Sequence, residues 1–99
     1  MLRFEWDPLK PRSNHKRHGM AFEEAMQVFE DPFAYFEQQS SEEREVRWVA
    51  IGLVGGTIVL LVVHTVREEG QDEVIRLTSA RQATRKERQK YGEISAQDA

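Results

Sequence analysis

The 99-residue sequence contains no cysteine. This absence excludes disulfide bonds, thiol nucleophiles and thiolate metal ligands together, and it fits a bacterial-type cytoplasm. A signal peptide is not evident either, because Glu5, Trp6, Asp7 and Pro8 occupy the place where an apolar segment would be needed. The length gives room for one domain with a single modest core, so we expect a small cytoplasmic protein.

An excess of basic charge is also lacking, since 14 Lys and Arg residues face 17 Asp and Glu residues and the formal net charge is -3 at pH 7. That balance argues against free, non-specific binding to nucleic acid. The charges are unevenly spread, however, with basic clusters at positions 10–17 and 76–90 and acidic stretches between them. Solvated helix faces explain this pattern as well as a localised site for a phosphate backbone does.

The first third of the chain predicts one strand and two helices. Met1–Glu5 is short and partly apolar, as expected of an edge strand. Asp7-Pro8 is a helix-start signal and Gly19 a helix stop, so the first helix should end at about His18. A second helix is indicated by four apolar residues at helical spacing, and it should end at Asp31-Pro32. The four residues are Phe22, Ala25, Met26 and Phe29.

The middle of the chain predicts strands, with one alternative. Phe33–Phe36 is a candidate short strand, and Gln38–Arg44 is polar and turn-like. Residues 49–66 are almost wholly apolar, so a single membrane span has to be considered. Gly55-Gly56 is a hairpin signal within this run, and residues 57–66 are mostly β-branched. We therefore favour a hairpin whose second strand is central in a sheet.

The last third predicts a strand and a terminal helix. A turn at Glu68–Asp72 precedes an alternating strand at Glu73–Thr78. Ser79 and Gln82 match a capping box, in which two side chains bond each other's backbone N–H groups at a helix start. This match predicts a final helix from Ser79 to about Tyr91.

Gly92 would end that helix. Residues 1–92 are then expected to form one domain, and residues 93–99 a frayed tail. The order of elements is β–α–α–β–β–β–β–α. It indicates an α+β protein in which helices flank an antiparallel meander.

Three groups of residues, spread over about residues 4–91, stand out together. They are Phe4–Lys10, Asn14, Arg17–Gly19, Phe22–Ala25 and Val28–Pro32; then Glu45–Arg47, Ile51-Gly52 and Val62–Arg67; then Ile75-Arg76, Ser79–Arg81, Ala83, Glu87-Arg88 and Tyr91. In order and spacing this combination resembles the BrnT toxins, a RelE-like branch of the bacterial type II toxin–antitoxin ribonucleases.

The resemblance implies a compact RelE-like antiparallel sheet of four to five strands, with two N-terminal helices and one C-terminal helix. It also implies an endoribonuclease that slows translation and a cognate BrnA-type antitoxin that neutralises it, with a heterotetramer as one expected assembly. DNA would be contacted only through the antitoxin complex. No cofactor, metal or membrane is expected, so RNA cleavage would be metal-independent.

Cleavage of RNA by its own 2′-OH needs a proton acceptor, stabilisation of the charged phosphorane and a proton donor for the 5′-oxygen. RelE-like proteins, as the resemblance implies, rely on cationic and phenolic groups for this. An arginine fork holds a phosphate with two hydrogen bonds and stays charged at any relevant pH. The candidate catalytic residues are Arg67, Arg81, Tyr91 and Arg47. The candidate RNA-binding residues are Arg76, Arg85, Arg88 and Lys90.

Structural explanations stand beside these roles. Arg67 and Arg81 can pair with nearby carboxylates, and Tyr91 can be a core residue under the last helix. His64 lies in an apolar strand, where a hydrogen-bonded core histidine is the commoner role. His18, before a helix-ending glycine, is more suited to capping or packing, and with His15 it has metal-ligand spacing but no third ligand nearby.

The enzyme hypothesis depends on two geometric expectations. Arg67 and Arg81 should converge in one pocket, and Arg81, Arg85 and Arg88 should form one basic ridge on the final helix. Two alternatives stay open. One is a catalytically inactive RelE-like module that only binds an antitoxin, and the other is a small membrane protein with one span at residues 49–66.

Overall fold

A computed structural model describes residues 1–42 and 45–98. Five strands form one sheet in the order β1-β5-β4-β3-β2. The strands are β1 (Leu2–Glu5), β2 (Tyr35–Glu42), β3 (Glu45–Val54), β4 (Ile58–Glu69) and β5 (Asp72–Gln82). The helices are α1 (Lys10–His18), α2 (Phe22–Ala25) and α3 (Arg85–Asp98), with a 3₁₀ segment at Met26–Glu30 after α2. The predicted α+β class and the predicted order of elements are confirmed.

The four strands from β2 to β5 form an antiparallel meander, and β1 adds to its edge parallel to β5. Gly55 and Gly56 join β3 to β4 with φ angles of 62° and 72°, the left-handed values that a tight hairpin turn requires. The hairpin with a central second strand is therefore confirmed, and the membrane span at residues 49–66 is wrong. Within residues 1–42 and 45–98, no helix is long and apolar enough to cross a membrane.

Hydrophobic side chains are buried on both faces of the sheet. The N-helix face is the side that α1, α2 and the 3₁₀ segment cover, and it holds the larger cluster, with Phe22 and Val62 fully buried. The α3 face is the opposite side. Its smaller cluster contains Ile51, Leu61 and Tyr91, so α3 covers only the part of this face near the Gly55-Gly56 turn.

The polar segment after Phe36 was predicted to be a turn, and this prediction is wrong over Gln38–Glu42. These residues continue β2, which pairs with β3 and has an irregularity between Gln38 and Ser40. An edge strand tolerates polar residues because one of its sides faces water. Glu43 and Arg44, the rest of the predicted turn, lie outside the described residues.

The predicted start of the last helix is also wrong. Instead of capping a helix, Ser79 and Gln82 lie on β5 and pair with Val63 and Leu60 of β4. The capping box is formed by Thr84 and Glu87: the Thr84 N–H donates to Glu87 Oε1 at 2.8 Å, and the Glu87 N–H donates to Thr84 Oγ1 at 3.2 Å. Pairing with the long β4 thus outweighs a local helix signal.

The predicted end of the last helix is wrong as well. Helix α3 passes through Gly92 and continues to Asp98, so Glu93–Asp98, predicted to be part of a frayed tail, are helical. Gly92 does not have the positive φ of a helix-ending glycine. By contrast, Gly19 has a φ of 70° and ends α1 as predicted.

Candidate functional site

Four polar side chains form a row across the α3 face. Glu5 pairs with Arg76, Arg76 with Thr65, and Thr65 with Arg47, and paired residues on neighbouring strands point to the same face. Arg67 lies two positions after Thr65 on β4 and therefore shares this face. We call Arg47, Arg67 and Arg76 the arginine cluster.

Glu5 connects two members of the arginine cluster. Its Oε1 accepts a hydrogen bond from Arg67 Nη2, and its Oε2 accepts one from Arg76 Nη1, both at 2.5 Å. The Arg67 guanidinium, with help from Arg76 and against partial desolvation, lowers the pKa of the Glu5 carboxyl. Arg67 also contacts Glu69 at 3.0 Å. The site therefore holds an ionised carboxylate between two fixed guanidinium groups.

Arg47 completes the cluster from β3. It lies two strands from Arg76, about 10 Å at the usual strand spacing, and its side chain is exposed. Arginine side chains are long enough for groups on Arg47, Arg67 and Arg76 to approach one bound anion from different sides. Thr65 occupies the middle of the row and adds a hydroxyl between them.

A groove of about 750 Å³ separates α3 from the neighbouring part of the same face. Arg81 lies in it and forms a two-pronged contact with Glu87, at 2.9 and 3.1 Å. Lys90 also lines the groove, where it pairs with Glu37 and sits 5.2 Å from the centre of the Tyr35 ring. Arg81 and Lys90 are thus both paired with carboxylates.

The structure does not bring Arg67 and Arg81 into one pocket. Arg81 pairs with Leu61, which is six positions before Arg67 on β4. At about 3.3 Å per residue the two arginines are about 20 Å apart along the same face. One phosphate cannot contact both, but one RNA strand can. The predicted ridge of Arg81, Arg85 and Arg88 is not formed either, because Arg81 lies on a strand.

Tyr91 has a structural partner. Its side chain is 8% exposed, and its hydroxyl donates to Asp31 Oδ2 at 2.5 Å. Burial first, and then the bond to Asp31, raises the pKa of Tyr91 to about 12. Asp31 also accepts the N–H groups of Leu53 and Phe33, at 2.7 and 2.9 Å. Burial alone would raise the pKa of Asp31, but these donors outweigh it and lower it.

Replacing Tyr91 with phenylalanine tests this assignment. The Tyr91→Phe variant should lose about 1.5–3 kcal/mol of stability at pH 9, because a hydrogen bond to an ionised carboxylate disappears. The phenol ionises at about pH 10 when unfolded but at about pH 12 when folded, so its stabilisation is complete below pH 10 and is lost as pH rises to 12. Urea unfolding should therefore show the gap between the two proteins closing from pH 10 to 12. A constant gap would contradict the assignment.

The other predicted residues lie apart from the arginine cluster. Arg85 and Arg88 are exposed on α3, and Arg88 Nη1 donates to the Ala83 carbonyl at 2.8 Å. His64 is 2% exposed on the N-helix face, its ring centroid 4.9 Å from that of Phe29, and burial lowers its pKa. Among the described parts of the chain, no group of three or more His, Asp or Glu side chains is placed to hold a metal ion.

Glu5 is the site residue that sequence reasoning missed. One signal was available, since alternation along β1 places Glu5 on the face opposite the core residue Phe4. The parallel pairing of β1 with β5, which brings Glu5 to Arg76 from 71 positions away, leaves no local mark in the sequence.

The fold is that of a ribonuclease toxin of known structure. The 1.1 Å crystal structure of the Brucella abortus ribonuclease toxin BrnT superposes with a TM-score of 0.67 at 23% identity, covering 86% of this chain and 100% of that one. The family model described as "Ribonuclease toxin, BrnT, of type II toxin-antitoxin system" matches residues 6–87. The chain belongs to this family, which implies an antitoxin partner. No curated protein matches the chain in sequence.

Proposed function

We propose that this chain is an endoribonuclease toxin that cleaves RNA through attack of the 2′-OH on the adjacent phosphorus, without a metal ion. The observation that carries the proposal is the arginine cluster around Glu5 on an accessible sheet face. Fixed guanidinium groups stabilise the extra negative charge of a phosphorane, and they need no reorganisation when that charge develops. Family membership supports the same class of reaction.

The residues divide into two groups along the α3 face. Arg67, Arg76 and Arg47 hold the reacting phosphate, and Arg81 with Lys90 contacts a flanking part of the same strand in the groove. Arg81 and Lys90 first have to break their ion pairs with Glu87 and Glu37, so they contribute less to RNA binding than the arginine cluster does. We leave Tyr91 out of the reacting groups because its hydroxyl is bonded to Asp31. Arg85 and Arg88 add general attraction for RNA.

Inhibition of translation and neutralisation by a BrnA-type antitoxin complete the proposal. An acidic segment of the antitoxin over the arginine cluster would exclude RNA. On the opposite, N-helix face, the apolar residues Phe36, Val46 and Val66 are 49%, 39% and 40% exposed, and they offer further contact area to an antitoxin that continues around the edge of the sheet. A heterotetramer is the proposed assembly, DNA is contacted only by the antitoxin part, and the site of action is the bacterial cytoplasm.

Expression without the antitoxin should arrest growth, and the purified protein should cleave single-stranded RNA equally well with and without excess EDTA. The arginines supply the positive charge that a metal would otherwise give, so chelation has nothing to remove. Gel analysis should show fragments that end in a 2′,3′-cyclic phosphate and begin with a 5′-hydroxyl. Loss of cleavage in EDTA, restored by Mg²⁺, would contradict metal independence.

A catalytically inactive module that only binds an antitoxin is the second candidate. The pairing of Arg67, Arg76 and Arg81 with carboxylates of the same chain favours it, because these contacts compete with phosphate. The same RNA assay separates the two functions. Intact RNA after incubation at every pH from 6 to 9, with antitoxin binding preserved, would establish the inactive module.

A further inference from the structure

Glu5 is a carboxylate that touches two members of the arginine cluster. It is 29% exposed at its side chain, so it is accessible from the open part of the α3 face. Each of its two oxygens accepts one hydrogen bond from an arginine. An ionised carboxylate can accept about four hydrogen bonds in all. Each oxygen therefore keeps a free lone pair next to the guanidinium groups that would hold a phosphate.

We propose that Glu5 is the general base that removes the proton of the attacking 2′-OH, an inference that rests on the proposed ribonuclease function. A phosphate held by Arg67 and Arg76 lies beside the carboxylate that those two arginines share. The 2′-OH is on C2′, the neighbour of the carbon that carries the 3′-oxygen of that phosphate, so the hydroxyl stays within reach of a carboxylate beside the phosphate. Thr65 has a hydroxyl but no charge, and it is a poor proton acceptor by comparison.

The proposed step is balanced in atoms and electrons. The Glu5 carboxylate takes the 2′-OH proton while the 2′-oxygen forms a bond to phosphorus. The bond between phosphorus and the 5′-oxygen breaks, and the departing oxygen takes a proton from water. The hydroxide formed then removes the proton from Glu5. The products are a 2′,3′-cyclic phosphate and a 5′-hydroxyl, and the carboxylate is regenerated.

The surroundings of Glu5 keep its carboxyl group in the ionised form, which is the form that can accept a proton. Among the side chains that the structure describes, Arg67 from β4 and Arg76 from β5 face Glu5, and Arg3 shares its face of β1. Glu69 accepts from the same Arg67 nitrogen that bonds Glu5, and it also contacts Arg3, so arginines neutralise the charge of this neighbouring carboxylate. The two bound arginines lower the pKa of Glu5, so the carboxylate is ionised over the whole neutral range.

The test compares Glu5→Gln with wild type on a short single-stranded RNA of mixed sequence. A second readout is the dissociation constant for the same oligonucleotide carrying 2′-O-methyl groups, which binds but cannot be cleaved. Glutamine keeps the size and an oxygen acceptor but is not a base. We expect kcat to fall by at least about 10²-fold, while the methylated oligonucleotide binds at least as tightly as to wild type, because glutamine removes a charge that competes with phosphate for Arg67 and Arg76. The Tm should change little, since the ion pairs of Glu5 are partly exposed. Glu5→Asp, which retains a carboxylate, should recover part of the rate.

Glu69→Gln is the matched control, because Glu69 also bonds Arg67 but has no contact with Arg76. Its kcat should change by less than about threefold, as expected for an exposed ion pair. Two results would overturn the role of Glu5 as a base: full activity of Glu5→Gln, or a loss of activity matched by an equal loss of binding. Cleavage by neither wild type nor variant would overturn the proposed function together with this inference.

Discussion

Replacing Arg67 with alanine should lower the rate of RNA cleavage by about 10³-fold, since an arginine that neutralises charge on a phosphorus transition state is worth about 10³–10⁵ in rate. Arg67 lies on β4, the middle strand of the sheet. It bonds Glu5 at 2.5 Å, so its guanidinium is already oriented. The Arg76→Ala variant should behave similarly, because Arg76 bonds the other oxygen of Glu5. Growth arrest on expression and kcat for a single-stranded RNA both measure the effect.

Folding should survive the Arg67→Ala change, and antitoxin binding should weaken but persist, because Arg47 and Arg76 of the cluster remain. The Arg67 side chain is 47% exposed, and exposed ion pairs contribute only about 0–1 kcal/mol to stability. Arg12→Ala is the control, because Arg12 is an exposed arginine on α1, which packs on the N-helix face. It should leave both growth arrest and kcat unchanged.

The comparison with Arg81→Ala makes the prediction specific. Arg81 is about 20 Å from Arg67 along the sheet and is engaged by Glu87, so its loss should cost only about tenfold in kcat/KM, the size of one contact to a charged group. A larger effect at Arg81 than at Arg67 would move the reacting phosphate into the groove beside α3. It would also contradict the proposal that the arginine cluster holds the reacting phosphate.

Local sequence signals predicted the elements whose stability is itself local. The turn at Gly55-Gly56 joins two strands that follow each other directly in the chain. Its need for positive φ angles is visible in the sequence as two glycines. The same is true of Gly19 at the end of α1. The start of the last helix was missed because Ser79 and Gln82 carry a helix signal that only the pairing with β4 overrides. Such pairing depends on the whole sheet and not on the neighbouring residues.

The sequence predicted which kind of side chain forms the candidate site better than it predicted how those side chains are arranged. Arginine was expected to bind phosphate, and Arg47, Arg67 and Arg76 do share one face. Which arginines lie together depends on strand register, and one misplaced element boundary moved Arg81 from a strand to a helix. The partners of the cluster come from distant positions, as Glu5 does for Arg67 across 62 residues. Contacts of this range leave no periodic pattern to read.

Asn14 should be a highly sensitive position for stability although it lies outside the site. It is 5% exposed, and its Nδ2 donates to the carbonyls of Met20 and Ala80, at 2.9 and 3.0 Å, while its Oδ1 accepts the Ala80 N–H at 3.0 Å. Ala80 lies on β5 beyond Arg76, the last residue that pairs with β1. The amide of Asn14 therefore takes the place of a strand at this edge of β5.

An Asn14→Leu variant keeps the volume of the side chain but leaves these three backbone groups without partners. Each unsatisfied buried group costs about 1–3 kcal/mol, so the total loss should be at least about 3 kcal/mol, a large part of the stability of a domain this size. Urea unfolding measures it, and Ser13→Ala is the control, since the exposed Ser13 hydroxyl bonds only the Lys10 carbonyl of its own helix. That variant should stay within about 0.5 kcal/mol of wild type.

A loss below about 1 kcal/mol for Asn14→Leu would mean that water reaches the edge of β5 and satisfies Ala80. The full loss would show that α1 holds in place the strand that carries Arg76 and Arg81.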